Sequence, residues 1–170
     1  MAGILTSPLR RGRWKWLTAD LTGFVWPSPI ITETRGDDMN SFSIKTSERF
    51  EMIDITRQIQ DIIREAGAGS GLCYVFVPHT TAGVTINENA DPDVPRDIIS
   101  TLDRLIPLHG PYRHGEGNSA AHVKASLMGA SETVLIENGQ PVLGTWQSIF
   151  FCEFDGPRMR KVFVKVIANP

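Results

Sequence analysis

The chain has 170 residues, 41% of them hydrophobic and 21% charged, which is enough to bury one core and unlike the composition of a disordered or fibrous protein. A formal net charge of −2 offers no general attraction for nucleic acid or an anionic membrane, so any basic site has to be local. Two cysteines, Cys73 and Cys152, lie in apolar strand-like runs and read as reduced, buried thiols of a cytoplasmic protein rather than a disulfide.

In chain order, residues 1–38 read as an N-terminal extension, poorly ordered. They hold three of the four tryptophans (Trp14, Trp16, Trp26) and a basic cluster around Arg10 to Lys15, without helical or strand periodicity. Their apolar stretches are too interrupted for a signal peptide, and no segment of the chain reads as a membrane span. Residues 39–170 form the patterned domain. Ser41 to Thr46 alternates like a strand. Asp54 or Thr56 then caps a helix with Ile55, Ile59, Ile62, Ile63 and Ala66 on one face, closed by Gly67. Gly71 to His79 is a nearly continuous apolar run, expected to be a strand buried on both faces, which leaves His79 at a strand end. A second helix is predicted from Pro95 to Ile106, with Asp91 and Asp93 ahead of it and Ile98, Ile99, Leu102 and Leu105 along one side. A third runs from Ser119 as N-cap to Met128 and stops at Gly129. The last forty residues predict a meander. Asn138-Gly139 turns one hairpin, and Asp155-Gly156-Pro157-Arg158 turns a second into MRKVFVKVIA. The fold class that follows is α+β, one compact domain with a largely antiparallel sheet packed by a few helices.

Three clusters carry candidate chemistry. HTTAGVTINENADPD, His79 to Asp93, gathers polar groups after a strand, where a rigid scaffold presents a site. The same residues also suit turn-satisfying and helix-capping roles. YRHGEGNSAAHVKASLMG, Tyr112 to Gly129, places Gly115, Gly117 and Asn118 before the helix that starts at Ser119. Free N–H groups and the positive dipole end make that start an anion pocket, with Lys124 nearby. His79, His114 and His122 are candidate ligands for a divalent metal, zinc first, although the seven residues between His114 and His122 fit no compact metal motif. In the third cluster, GTWQ with CEFDGPRMRK, Glu153 on an apolar strand needs a cationic partner, for which Arg158 and Arg160 are available. One of these arginines facing a phosphate is the alternative to a structural ion pair.

These three motifs together, in this order and spacing, resemble the YjbQ family, the secondary thiamine-phosphate synthase proteins, over Met39 to Ala168. The resemblance implies an α+β fold, a homotrimer with sites near the subunit contacts, and a divalent metal held by histidines. It also implies a weak ability to join hydroxymethylpyrimidine diphosphate to a thiazole phosphate with loss of pyrophosphate. Carried over by position, His79, His114 and His122 match the candidate metal ligands, and Glu88, Asn89, Gln147, Glu153 and Arg158 match elements of the family's motifs. Their chemistry gives the roles: Glu88, Lys124, Glu153 and Arg158 act on a small phosphorylated metabolite. Thr80, Thr81, Asn89, Gly117, Asn118, Ser119 and Gln147 complete the ligand-binding positions. Two other readings stay open: a non-enzymatic trimer that binds a metal or phosphometabolite, and a metal-dependent hydrolase with Glu88 or Glu153 as base.

Overall fold

The computed structural model describes residues 39–169, and the extension expected over residues 1–38 lies outside the described residues. Eight strands and three helices follow one another as β1 (Asn40–Lys45), β2 (Glu51–Asp54), α1 (Thr56–Glu65), β3 (Ser70–Phe76), β4 (Ala82–Glu88), α2 (Asp93–Leu105), α3 (Ser119–Met128), β5 (Ser131–Glu137), β6 (Gln140–Pro141), β7 (Gln147–Glu153) and β8 (Met159–Ala168). They build two sheets, five-stranded β1-β8-β3-β5-β6 and three-stranded β2-β7-β4, and every pairing is antiparallel. The α+β class expected from the patterning holds.

The two sheets and the helices make three layers. Inward residues of the five-stranded sheet (Ile44, Cys73, Val75, Val134, Val162, Val164) meet Val84, Ile149 and Phe151 of the three-stranded one. Helix α1 adds Ile59 and Ile63 to that core, together with Ile55 just before it. Burying each such side chain contributes roughly 1.5–3 kcal/mol. The opposite face of the three-stranded sheet carries Phe150, Cys152 and Phe154, which pack against Ala121 and Ala125 of α3, with Leu102 of α2 alongside. Small residues on α3 let it lie close to the sheet. At Gly83 of β4 an added Cβ would stand 2.6 Å from the Gly129 carbonyl oxygen, so glycine is required at that approach.

Helix boundaries follow their local chemistry. Asp54 Oδ1 accepts the Thr56 N–H at 2.8 Å and starts α1, and Gly67, with φ +65°, ends it. Asp91 Oδ1 accepts the Asp93 N–H at 2.9 Å at the head of α2. The turn after β5 has Asn138 at φ 52° and Gly139 at φ 72°, the pair of left-handed residues a two-residue hairpin demands.

Three expectations are corrected. The doubly buried strand is β7, whose residues from Ser148 to Glu153 are all buried, whereas β3 alternates and leaves Leu72, Tyr74 and Phe76 exposed. An unbroken apolar run fits either case, because its outward side chains can also face another surface. Asp155 to Arg158 does not close a hairpin either. It carries the chain from β7 in one sheet to β8 in the other, through a cis Gly156–Pro157 peptide. Finally, the second helix runs from Asp93 to Leu105 rather than from Pro95 to Ile106, with Asp93 inside it, and its apolar side carries no fully buried residue. Both cysteines are free and buried, and burial pushes their thiols up, Cys73 to about 11 and Cys152 to about 12.

Candidate functional site

The corner where β7 hands over to β8 gathers most of the candidate residues. Glu153 is completely buried there. Arg160 grips it through two bonds, Nε to Oε2 at 2.7 Å and Nη2 to Oε1 at 2.6 Å, while the backbone N–H groups of Phe154 and Asp155 donate to Oε1 at 3.0 and 2.9 Å. The Thr46 hydroxyl lies 3.2 Å from Oε2, and it accepts the Arg158 N–H at 2.7 Å. Arg160 Nη2 also donates to Thr81 Oγ1 at 2.9 Å. With four donors fixed on one carboxylate, Glu153 anchors the crossing between the sheets. The base expected at this position is therefore a structural ion pair, and Arg160 is its partner.

Arg158 is different. It is 53% exposed along its side chain and reaches back over the turn to Asp155, with Nε on the Asp155 carbonyl and Nη2 on Oδ2, both at 2.6 Å. Asn118 Nδ2 donates to the same Asp155 Oδ2 at 3.0 Å, and Asn118 Oδ1 is buried without a partner among the described residues. Asp155 thus ties the head of α3 to the β7–β8 corner. Between them opens a pocket of about 320 Å³ lined by Arg49, His109, Glu116, Asn118 and Arg158, with Gly117 at φ +75° in its wall. Asn118, one residue ahead of Ser119, is the N-cap of α3, and its carbonyl accepts the Ala121 N–H at 2.9 Å.

Lys124 does not face this pocket. It lies further along α3, 1% exposed, with Nζ donating to Asp103 Oδ1 at 2.9 Å and standing 3.8 Å from the centre of the Phe50 ring. Its role is to tie α3 to α2, because a buried ammonium needs a nearby carboxylate, and the Phe50 ring face adds to its stabilisation.

The histidines are only partly brought together. His114 and His122 meet edge to face with ring centres 5.3 Å apart, and His114 Nε2 lies 3.6 Å from Glu116 Oε2. His79 instead uses Nε2 to accept the Lys161 N–H at 2.8 Å, so its remaining proton sits on Nδ1 when neutral. Burial, followed by the Arg160 charge, lowers its pKa from 6.5. Among the described residues no three His, Cys, Asp or Glu side chains are placed to hold a metal. The expected set of His79, His114 and His122 is therefore not assembled within one chain, since one ligand nitrogen is committed to the backbone and the other carries a proton.

Glu88, Asn89 and Gln147 lie elsewhere. HTTAGVTINENADPD is not one loop, because Ala82 to Glu88 is strand β4, paired along β7 from Ala82–Glu153 to Glu88–Gln147. Six residue steps separate those pairs, about 20 Å. Thr81 is therefore at the Glu153 end, with exposed Thr80 before it, while Glu88, Asn89 and Gln147 share the far end with Trp146. Sequence reading missed Thr46, Arg49, Asp103 and His109 as partners in these clusters. It took Asp155 only as a turn residue. The lone acidic residue ahead of Gly-Pro was the available signal for Asp155; the other four become neighbours only through the fold.

The UPF0047 protein YjbQ-like family matches residues 40–169. Among relatives, the UPF0047 protein YugU of Bacillus subtilis is 52% identical over 130 residues, covering 76% of this chain and 98% of its own. A UPF0047 protein of Methanocaldococcus jannaschii is 54% identical over 128 residues, 75% of this chain and 93% of its own. A crystal structure of an uncharacterised YjbQ/UPF0047 protein from Clostridium acetobutylicum superposes with a TM-score of 0.75 at 58% identity, covering 75% of this chain and 99% of that one. A hypothetical protein from Aeropyrum pernix does so with a TM-score of 0.74 at 36% identity, covering 78% and 99%. With its two antiparallel sheets, its α3 loop and its β7–β8 corner all inside the matched region, the chain belongs to the YjbQ/UPF0047 family.

Proposed function

We propose that the chain binds a phosphate ester or diphosphate in the pocket before α3 and, as the thiamine-phosphate synthase resemblance implies, displaces the diphosphate slowly. The observation that supports this is the pocket wall: Arg49, Arg158 and His109 around the Gly117-Asn118 approach to a helix start. Guanidinium groups match phosphate oxygens in planar pairs, and a helix start adds N–H donors. In the displacement, the bond from a benzylic-type carbon to the diphosphate oxygen breaks and a thiazole nitrogen bonds to that carbon. Negative charge grows on the departing pyrophosphate, where fixed positive groups stabilise it most. Arg158 is half exposed and can turn towards that charge, while the buried Asp155 carboxylate keeps Asn118 Nδ2 as its donor.

Pyrophosphate titration by calorimetry, together with pyrophosphate release from the two thiamine-precursor substrates, tests the reading. The wild type should bind and turn over slowly, and Arg158→Ala should lower affinity about tenfold, near the value of one charge-assisted hydrogen bond. Unchanged affinity and turnover in that variant would remove the proposal. A binding protein without turnover is the second reading, favoured by the commitment of Lys124 and Glu153 to ion pairs. Binding with no release above the uncatalysed rate selects it.

The assembly proposed is a homotrimer in a reducing, cytoplasmic setting, consistent with two free buried thiols. Leu72, Tyr74 and Phe76 on β3, Leu135 on β5 and Ile167 on β8 form an exposed apolar face on the five-stranded sheet, the kind of patch that seats another subunit. No helix among the described residues is long and apolar enough to cross a membrane. Light scattering should give three chains per particle; a stable, active monomer refutes the assembly.

A further inference from the structure

The far end of the three-stranded sheet holds a second pocket of about 430 Å³, lined by Ile86, Asn87, Glu88, Thr145, Trp146 and Gln147. Trp146 is 65% exposed there. An indole left in water forfeits a large burial gain, so its position calls for a reason. The surrounding loop is well fixed. The Trp146 carbonyl accepts the Asn89 N–H at 2.8 Å, Gln147 Oε1 accepts the Gly144 N–H at 2.8 Å, and Asn89 Nδ2 donates to Asp54 Oδ2 at 2.8 Å. The indole is therefore held out by its backbone. Beside it, the half-buried Glu88 has a carboxylate with no hydrogen bond or ion pair among the described residues, while its backbone N–H donates to Asn87 Oδ1 at 2.8 Å.

We propose that this pocket binds a planar aromatic cation whose adjacent N–H groups form a fork, such as an amidinium or an aminopyridinium ring. Both walls select that chemistry. The indole face attracts a cation and stacks with a flat ring. A carboxylate with both oxygens open takes two parallel N–H bonds from a planar fork, the arrangement that makes guanidinium–carboxylate pairs strong. The side-chain amide of Asn87 adds polar contacts at the rim. This pocket lies at the end of β4 and β7 opposite Glu153, about 20 Å of strand away, and shares no lining residue with the phosphate pocket, which lies beyond the Glu153 end, so within one chain it is a separate site with its own ligand. It does not rest on the diphosphate reading.

The probe is benzamidine, added to the full chain while the indole N–H of Trp146 is followed by 1H–15N spectroscopy and assigned by its loss in Trp146→Phe. A saturable shift is expected. Glu88→Gln should weaken it at least tenfold, and so should replacing benzamidine with phenol, which is flat but uncharged, or with cyclohexylammonium, which is charged but not flat. Trp146→Leu, checked for fold by circular dichroism, should bind benzamidine at least tenfold more weakly by calorimetry. The proposal is overturned by no saturable shift in the wild type, by equal binding in Glu88→Gln, or by phenol binding as well as benzamidine.

Discussion

Two arginines two residues apart reach two carboxylates at the corner between the sheets, and burial divides their work. Arg160 is 7% exposed on a fully buried Glu153, whereas Arg158 is 53% exposed on Asp155. The charges and the bond lengths are nearly the same. Inside, each donor and acceptor has to be matched, because a lone charge there has no water to turn to. At the pocket mouth water reaches the Arg158 guanidinium, and Asp155, though buried, keeps a second donor in Asn118 Nδ2. Arg158 can therefore exchange Asp155 for a ligand at lower cost than Arg160 could leave Glu153. The same pairing thus serves as a rivet in one place and a movable hand in the other.

The sharpest way to break this contrast is to remove Glu153. Glu153→Ala leaves the Arg160 guanidinium buried without its carboxylate, and a loss of about 3–5 kcal/mol in urea unfolding is expected. A loss below about 1 kcal/mol would make the inner pair no different from the outer one. Arg158→Ala should cost clearly less stability than Glu153→Ala, because the group removed is half exposed and Asp155 keeps Asn118 Nδ2, while taking pyrophosphate affinity down as described above.

The smallest effect concerns His79, which lies close enough to Arg160 to feel the buried pair. Its folded pKa is lowered, by burial first and the Arg160 charge second, from an ordinary 6.5. Between the folded and unfolded values the unfolded chain binds more protons, so stability rises with pH there. The contribution is complete above about 6.5 and is lost as pH falls through the lowered folded value. The melting temperature should therefore fall as pH is lowered from 7 towards 5, and His79→Gln, which keeps an acceptor for the Lys161 N–H, should flatten that part of the profile. An unchanged slope in the variant would mean that other groups carry it.

Much of the architecture was legible because it rests on near neighbours in sequence. Ile55, Ile59 and Ile63 mark the α1 face by spacing alone, and Asn138-Gly139 marks its turn by the φ values those residues tolerate. The site was legible only as a set of residue types. Glu153 was singled out because a carboxylate in IFFCEF needs a partner, yet whether that partner is Arg158 or Arg160 depends on which way the chain turns after Gly156. Lys124 looked like a helix-start cation, but a position one and a half turns into α3 points it to Asp103 on α2 instead. Similarly, His79 and Glu88 share a polar stretch of sequence but stand at opposite ends of β4.

What the sequence by itself determined is the local grammar of this protein: its helices, its strands other than β2 and β4, the turn at Asn138-Gly139, the antiparallel α+β class and the family. Propensity, periodicity and turn chemistry act over a few residues, and those are present in the chain as written. Only the tertiary structure decided which charges are sealed and which are presented. Thr46 and Arg158 are 112 residues apart and Thr81 and Arg160 are 79 apart when they bond. Contacts of that range are set by how two sheets pack against one core, and burial, which no single residue specifies, then turns identical side chains into a rivet or a binding group.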